Sequence, residues 1–91
     1  MEHDLKCIAP YFEEVYDENK TAEMRFNDRG FQKGDTVKLN HWSKEGHCAI
    51  EPYQPIKILI THVLTGEQFG IKDGHCMFSF KIFEKPEWKR K

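Results

Sequence analysis

The stretch NKTAEMRFNDRGFQKGD, residues 19–35, first alternates apolar and polar side chains and then turns twice. The alternation from residue 21 to residue 27 predicts a β-strand. One face of this strand holds Ala22, Met24 and Phe26, and the other holds Thr21, Glu23, Arg25 and Asn27. A half-buried strand ordinarily buries its apolar face and needs only a weakly polar outer face. The row of acid, base and amide therefore predicts a polar site on this strand.

Three turns and four further strands are predicted after this strand. Asp-Arg-Gly at 28–30 and Lys-Gly-Asp at 33–35 hold residues that favour turns. Residues 36–42 predict a strand, residues 43–46 a turn, and residues 48–53 a short strand that ends among prolines. The strongest strand is predicted over residues 56–64, with one face formed by Ile56, Ile58, Ile60, His62 and Leu64.

A loop over residues 66–74 separates this strand from the last one, predicted over residues 75–83. The last strand turns Cys76, Phe78, Phe80 and Ile82 to one face. Residues 84–91 are expected to be a tail, and the last seven, KPEWKRK, are basic.

Upstream of residue 19, a short strand is predicted over residues 5–8 and a helix over residues 10–18. Proline suits the first helical position, and Phe12, Val15 and Tyr16 form an apolar stripe at helical spacing. Asn19 is the expected left-handed end of the helix. The fold class is therefore α+β, a small barrel of about five to six strands with one main helix after the first strand. Residues 1–84 are expected to form one domain and residues 85–91 a basic C-terminal tail.

Composition limits the classes of function. The 91 residues carry a formal net charge of −1, which excludes binding to nucleic acid by bulk electrostatics but allows a local basic patch. Three widely spaced cysteines without a C-x-x-C pair are typical of a reduced intracellular protein. The sequence has neither an apolar signal segment nor a run long enough to span a membrane. We expect a cytoplasmic monomer without a cofactor.

Two motifs in this chain resemble those of the PUA-like superfamily, in its ASCH (ASC-1 homology) branch. Residues 20–25 read Lys-Thr-Ala-Glu-Met-Arg, and residues 27–35 contain Asn-Asp-Arg-Gly-Phe followed by Gly-Asp. A His-x-Leu-Lys start at residues 3–6 and the Gly74-His75 pair also match. Within that branch the chain resembles a family of small uncharacterised bacterial and phage proteins, over residues 3–83.

The resemblance implies a β-barrel with a helix beside a cleft, and RNA or a nucleotide-like molecule as the ligand. Strand spacing brings alternate side chains of residues 20–25 to one face, where a guanidinium could grip a phosphate and a carboxylate could accept hydrogen bonds. The expected ligand-binding residues are Lys20, Glu23 and Arg25, supported by Lys6, Asn27 and Arg29. From the residues alone, a ladder of salt bridges without a ligand explains the pattern equally well.

Two other functions stay open. Some ASCH proteins are amidohydrolases on an acetylated cytidine, and they use a Lys, a Thr three residues later and a Glu further on. Lys20 matches the Lys, but Glu23 stands at the Thr position, with Thr21 nearby and only Glu51 or Glu67 as guesses for the later Glu. If the chain is an enzyme, Lys20 and Glu23 are the catalytic candidates. The third function is a protein-interaction module that binds a host protein.

Zinc binding is not predicted, although Gly-His-Cys occurs at residues 46–48 and again at residues 74–76. Neighbouring residues of a strand point to opposite faces, so each His-Cys pair would be split. Cys76 is instead expected in the core. Aromatic side chains could stack on bases, but core packing is expected for Trp42, Tyr53 and Phe31. Trp88 lies in the basic tail and could contact nucleic acid or a partner.

Overall fold

The computed structural model describes residues 1–8, 10–42 and 54–87. In that part of the chain, five strands curl into a half-barrel and a short helix follows the first strand. The elements are β1 (Glu2–Ile8), α1 (Tyr11–Tyr16), β2 (Ala22–Phe26), β3 (Thr36–Trp42), β4 (Ile56–Thr65) and β5 (His75–Glu84). The small, mostly β architecture with a helix after strand one is confirmed.

The sheet order is β1-β3-β4-β5-β2. β1 runs parallel to β3, with Leu5 opposite Leu39, and the other neighbouring pairs are antiparallel. Because β1 and β2 are the two ends of this order, the curl of the sheet leaves an opening between them. We call the opening between the free edges of β1 and β2 the seam.

The core fills the concave side of the sheet and lies partly under α1. Alternate residues of β1, β3, β4 and β5 point into it, as the two-residue period of a strand requires. The helix contributes Phe12 and Val15, both fully buried. The predicted inward face of the last strand is confirmed for Cys76, Phe78 and Phe80, and Ile82 packs beside them.

β2 turns its polar face inward and its apolar face outward. Glu23 is only 7% exposed, whereas Met24 and Phe26 are 55% and 60% exposed. Cross-strand pairing explains this orientation, since Glu23 lies opposite the buried Phe78 and directly paired residues share a face of the sheet. The ordinary assumption that a strand buries its apolar face is wrong here.

Three local predictions need correction. The helix is shorter than predicted and ends at Tyr16, and Glu18 rather than Asn19 takes the left-handed conformation, with φ 61°. In β4 the register shifts between Ile60 and His62, so His62 and Leu64 leave the face of the buried isoleucines. Val63 packs against the core instead. A bulge of this kind inserts one residue and reverses the alternation beyond it.

The first strand begins three residues earlier than predicted, at Glu2, where it pairs with β3, and its His3 is a satisfied buried residue. Its Nε2 lies 2.8 Å from Asp35 Oδ2, and the backbone N–H of Gln32 donates to the same oxygen at 3.1 Å. The hydrogen bond with His3 holds the pKa of Asp35 below its usual value. Asp35 was predicted to be a plain turn residue, yet it ties β1 to the turn before β3.

Some predictions lie outside the described residues: the turn over 43–46, the strand over 48–53 with Glu51 and Tyr53, the first Gly-His-Cys, and Trp88. Residues 85–87 are described and lie against α1. The Tyr16 hydroxyl donates to the Pro86 carbonyl at 2.6 Å, and Lys85 donates to the Tyr16 carbonyl at 2.9 Å. Among the described helices, none has the length and apolar character needed to cross a bilayer.

Candidate functional site

Arginine side chains bridge the seam. Arg25 Nη2 donates to the carbonyl oxygen of Lys6 at 2.7 Å, and Arg29 Nη1 donates to that of Asp4 at 3.0 Å. Alternate residues of a strand direct their carbonyls to the same side, so these two oxygens belong to the free edge of β1. The guanidinium groups therefore satisfy an edge that no described strand pairs.

A cleft of about 300 Å³ lies at the seam, next to the start of α1. Its walls come from β1, from the first residue of the helix, and from the segment that enters and forms β2. The lining residues are Lys6, Cys7, Ile8, Tyr11, Lys20, Glu23, Met24 and Arg25. The polar face of β2 is thus the floor of an open cleft and not a convex, solvated surface.

Glu23 organises that floor. One carboxylate oxygen accepts a hydrogen bond from Lys20 Nζ, and the other accepts from Arg25 Nε at 3.2 Å. Lys20 Nζ also donates to the carbonyl of Ala22 at 2.6 Å. A buried carboxylate is tolerated when it is paired and hydrogen-bonded in this way. Glu23 consequently fixes both cations in the cleft.

The two cations keep donor capacity toward the opening. Within the described part of the chain, Lys20 uses two of its three N–H groups and Arg25 uses two of its five. Their side chains are 31% and 27% exposed. The N–H groups that these contacts leave over are what an anion entering the cleft would meet.

The rim combines one more cation with apolar surface. Lys6 lines the cleft, and its Nζ lies 4.4 Å from the centre of the Trp42 ring on β3, a cation–π contact. Ile8, Tyr11 and Met24 are 48%, 56% and 55% exposed. The cleft therefore offers a charged floor and an apolar edge that includes one aromatic ring.

Cys7 lies in the wall of the cleft but is not a nucleophile at neutral pH. Its side chain is buried, and burial, assisted by the nearby Glu23 charge, raises the pKa of the thiol to about 12. Only the thiolate is strongly nucleophilic. The described cleft thus lacks an activated thiol.

The structure brings together four of the six predicted ligand-binding residues. Lys6, Lys20, Glu23 and Arg25 line the cleft. Asn27 caps the next turn, where its Oδ1 accepts from the Phe31 N–H at 3.1 Å. Arg29 lies further along the seam and not in the lining of the cleft.

Sequence reasoning missed the apolar rim. Tyr11 begins α1, directly after the end of β1, so a helix beside the cleft places it at the opening. The resemblance implied such a helix and would have pointed to its first residue. Met24 was missed because its exposed position contradicts the usual orientation of an apolar strand face.

The second Gly-His-Cys motif and Phe31 lie within the described residues. His75 and Cys76 lie on opposite faces, the histidine against Phe26 and the cysteine in the core. Among the described residues no group of three or more potential ligands is close enough to hold a metal ion. Phe31 is a core residue, as expected, with its ring centre 5.1 Å from that of Phe78.

Comparison with known proteins places this chain in a family. A curated relative, described as an uncharacterized 12.9 kDa protein in the GpA 3′ region of Escherichia phage P2, is 42% identical over 40 residues. That alignment covers 44% of this chain and 37% of the phage protein, so it spans little more than a third of its relative. The model of a domain of unknown function, DUF3850, matches residues 2–80. Because this match covers most of the 91 residues, the chain belongs to the DUF3850 family.

Proposed function

We propose that the cleft at the seam binds a nucleotide-like ligand, either free or within RNA. The observation that carries the proposal is the buried Glu23, which holds Lys20 and Arg25 side by side at the floor of an open cleft. Two fixed cations with N–H groups left for a ligand suit a phosphate, and a guanidinium suits it in forked geometry.

The rim supplies what a base would need. Tyr11 is more than half exposed at the mouth of the cleft, and a tyrosine ring can stack on any base. Lys6 adds a third cation at the same opening. A charged floor beside an aromatic edge matches the two chemical parts of a nucleotide.

We also propose that the half-barrel is PUA-like and of the ASCH type. The support is the order of elements, with a helix between the first two strands that begins at the cleft, together with the two motifs over residues 20–35. The assignment to the ASCH type rests on the motifs.

The amidohydrolase alternative has less support from the geometry. The amidohydrolase mechanism needs a threonine hydroxyl in the cleft. Among the described lining residues Tyr11 alone carries a hydroxyl group, and Thr21 does not line the cleft. Glu67 lies in the β4–β5 loop, outside the lining, and Glu51 is outside the described residues. Binding to a host protein stays a prediction. The exposed side chains of Met24 and Phe26 would form the contact surface for such a partner.

An NMR titration tests the proposal. Ribonucleoside 5′-monophosphates and short RNAs are added to ¹⁵N-labelled protein, and shifts are expected for the amides of residues 6–8, 11 and 20–25. Arg25→Ala should abolish these shifts, whereas Lys57→Ala, which removes an ion pair with Glu84 on β5, should leave them intact. If no compound in the panel perturbs the cleft amides, the proposed function is wrong.

A further inference from the structure

We infer that the ligand of the cleft is one free nucleotide, a nucleoside monophosphate, and not an internal stretch of a nucleic-acid strand. This inference rests on the proposed function and narrows it. Charge is distributed unevenly along the seam, positive inside the cleft and negative at both of its ends.

Inside the cleft the charge is positive. Lys6, Lys20 and Arg25 contribute three positive charges and Glu23 one negative charge, which leaves a net charge of +2 among the described lining residues. The terminal phosphate of a mononucleotide carries close to two negative charges at neutral pH. A phosphodiester within a strand carries one, so the monoester balances the +2 charge of the cleft and the diester leaves it at +1.

One end of the cleft is acidic. Along β1 from Lys6 toward the chain start, the next seam contact is Arg29, which donates to the carbonyl of Asp4. The Asp28 carboxylate lies 3.9 Å from Arg29 Nε, and Asp4 is exposed with its carboxylate bonded to Asn40. Glu2 and Lys38 form an ion pair beside Asp4, so three carboxylates and two cations give this end a net charge of −1.

The other end is acidic as well. The backbone N–H of Lys20 donates to the carbonyl of Glu14 at 3.1 Å, so the helix directly adjoins the cleft floor. α1 and the two residues after it carry four acids, and the last turn of the helix holds no basic residue. These acids are Glu13, Glu14, Asp17 and Glu18, of which Glu13 lies 3.3 Å from His41 and Glu18 lies 3.8 Å from Lys85.

A strand that passed through the cleft would bring its neighbouring phosphates to these ends. Like charges at short range repel, and a strand gains affinity only from the phosphates that cations neutralise. The size of the cleft also favours a single nucleotide. Its volume of about 300 Å³ is at the lower end of the range for small-molecule sites, roughly 300–1,000 Å³. The cleft has the capacity of one nucleotide unit.

Isothermal titration of the whole chain with two matched probes tests the inference. The probes are uridine 5′-monophosphate and hexauridylate without terminal phosphates. Adenosine 5′-monophosphate and hexaadenylate without terminal phosphates repeat the comparison. We expect the monophosphate to bind at least about tenfold more tightly than the hexamer, a difference of about 1.4 kcal/mol. Uridine without phosphate should bind more weakly than the monophosphate.

The outcomes separate the inference from the function beneath it. Tighter binding of the hexamer, with a slope of log K against log salt several times about −0.7, means that several phosphates are bound. The inference is then wrong, while the proposed function stands. If neither nucleotides nor oligomers bind, both fail. A hexamer that binds only after a 5′-phosphate is added places a strand end in the cleft and also overturns the free nucleotide.

A pair of variants tests the acidic end itself. Replacing both Asp4→Asn and Asp28→Asn should strengthen hexauridylate binding by about tenfold and leave uridine 5′-monophosphate within about twofold. Glu84→Gln removes an acid that pairs with Lys57 and does not line the cleft, and it should change neither affinity. Unchanged hexamer binding in the double variant would contradict the charge argument.

Discussion

The guanidinium of Arg25 donates a 2.7 Å hydrogen bond to the carbonyl oxygen of Lys6 and so joins the two free edges of the sheet. The same side chain holds Glu23 through Nε at 3.2 Å. One residue therefore links the closure of the half-barrel to the geometry of the cleft. Loss of this side chain should affect stability and ligand binding together.

Arg25→Ala is expected to lower the free energy of unfolding by about 1–2 kcal/mol, because it removes two hydrogen bonds that involve a charged group and leaves the buried Glu23 carboxylate with one partner fewer. Urea unfolding followed by circular dichroism measures the change. Arg29→Ala is the matched control, since it removes one exposed hydrogen bond to the same edge of β1 and no contact with the buried Glu23, and it should cost no more than about 0.5 kcal/mol. Equal losses in the two variants would contradict the special role of Arg25.

Glu23→Ala should destabilise the chain more than Glu23→Gln. Removing one partner of a buried ion pair typically costs about 3–5 kcal/mol, but Lys20 and Arg25 remain roughly a third exposed and can rehydrate, so we expect about 2 kcal/mol for alanine. Glutamine keeps an oxygen acceptor and should cost about half of that. Thermal and urea unfolding of both variants provide the comparison, and an alanine variant as stable as wild type would show that the pairing is dispensable.

Much of the fold could be predicted from the sequence because the signals were local. The strand at Thr36–Trp42 matches its predicted bounds, and the left-handed Gly30 and Gly34 lie in the predicted turns. The bulge in β4 could not be predicted, because the residue pattern through Ile60 and His62 continues without a break and only pairing with β5 shows the extra residue.

The candidate site was predicted in part for the same reason. The charged residues of β2 identified its polar face, but not that this face points inward, since this depends on which neighbour β2 pairs with. Lys6 and Lys20 enter the cleft from segments distant in sequence, and the curl of the sheet brings them together. Nothing in the sequence marked Tyr11 or Met24 as a site residue, except that the resemblance implied a helix beside the cleft.

Asp35 should make stability fall at low pH. Its pKa in the folded chain lies below the ordinary 3.8, so above that pH the carboxylate is charged in both states and its contribution is fully present. As the pH falls below 3.8, the unfolded chain takes up the proton first and stability is lost. Unfolding free energies from pH 6 to pH 2 should therefore fall more steeply for wild type than for Asp35→Asn. Equal slopes for the two proteins would contradict the stabilising role of the Asp35 carboxylate.

Cys7 should make stability fall at high pH. Below pH 9.0 the thiol is protonated in both states, but between pH 9.0 and about 12 the unfolded chain loses the proton and the buried thiol keeps it. In that interval the free energy of unfolding should decrease by up to about 1.4 kcal/mol per pH unit from this group alone. Other groups also titrate at high pH, so the readout is the difference between wild type and Cys7→Ala. The alanine variant will be less stable at pH 7 because of the lost packing, and its deficit should shrink as the pH rises. Parallel stability curves for the two proteins from pH 7 to pH 11 would show that the thiol is not shielded by burial in the wall of the cleft.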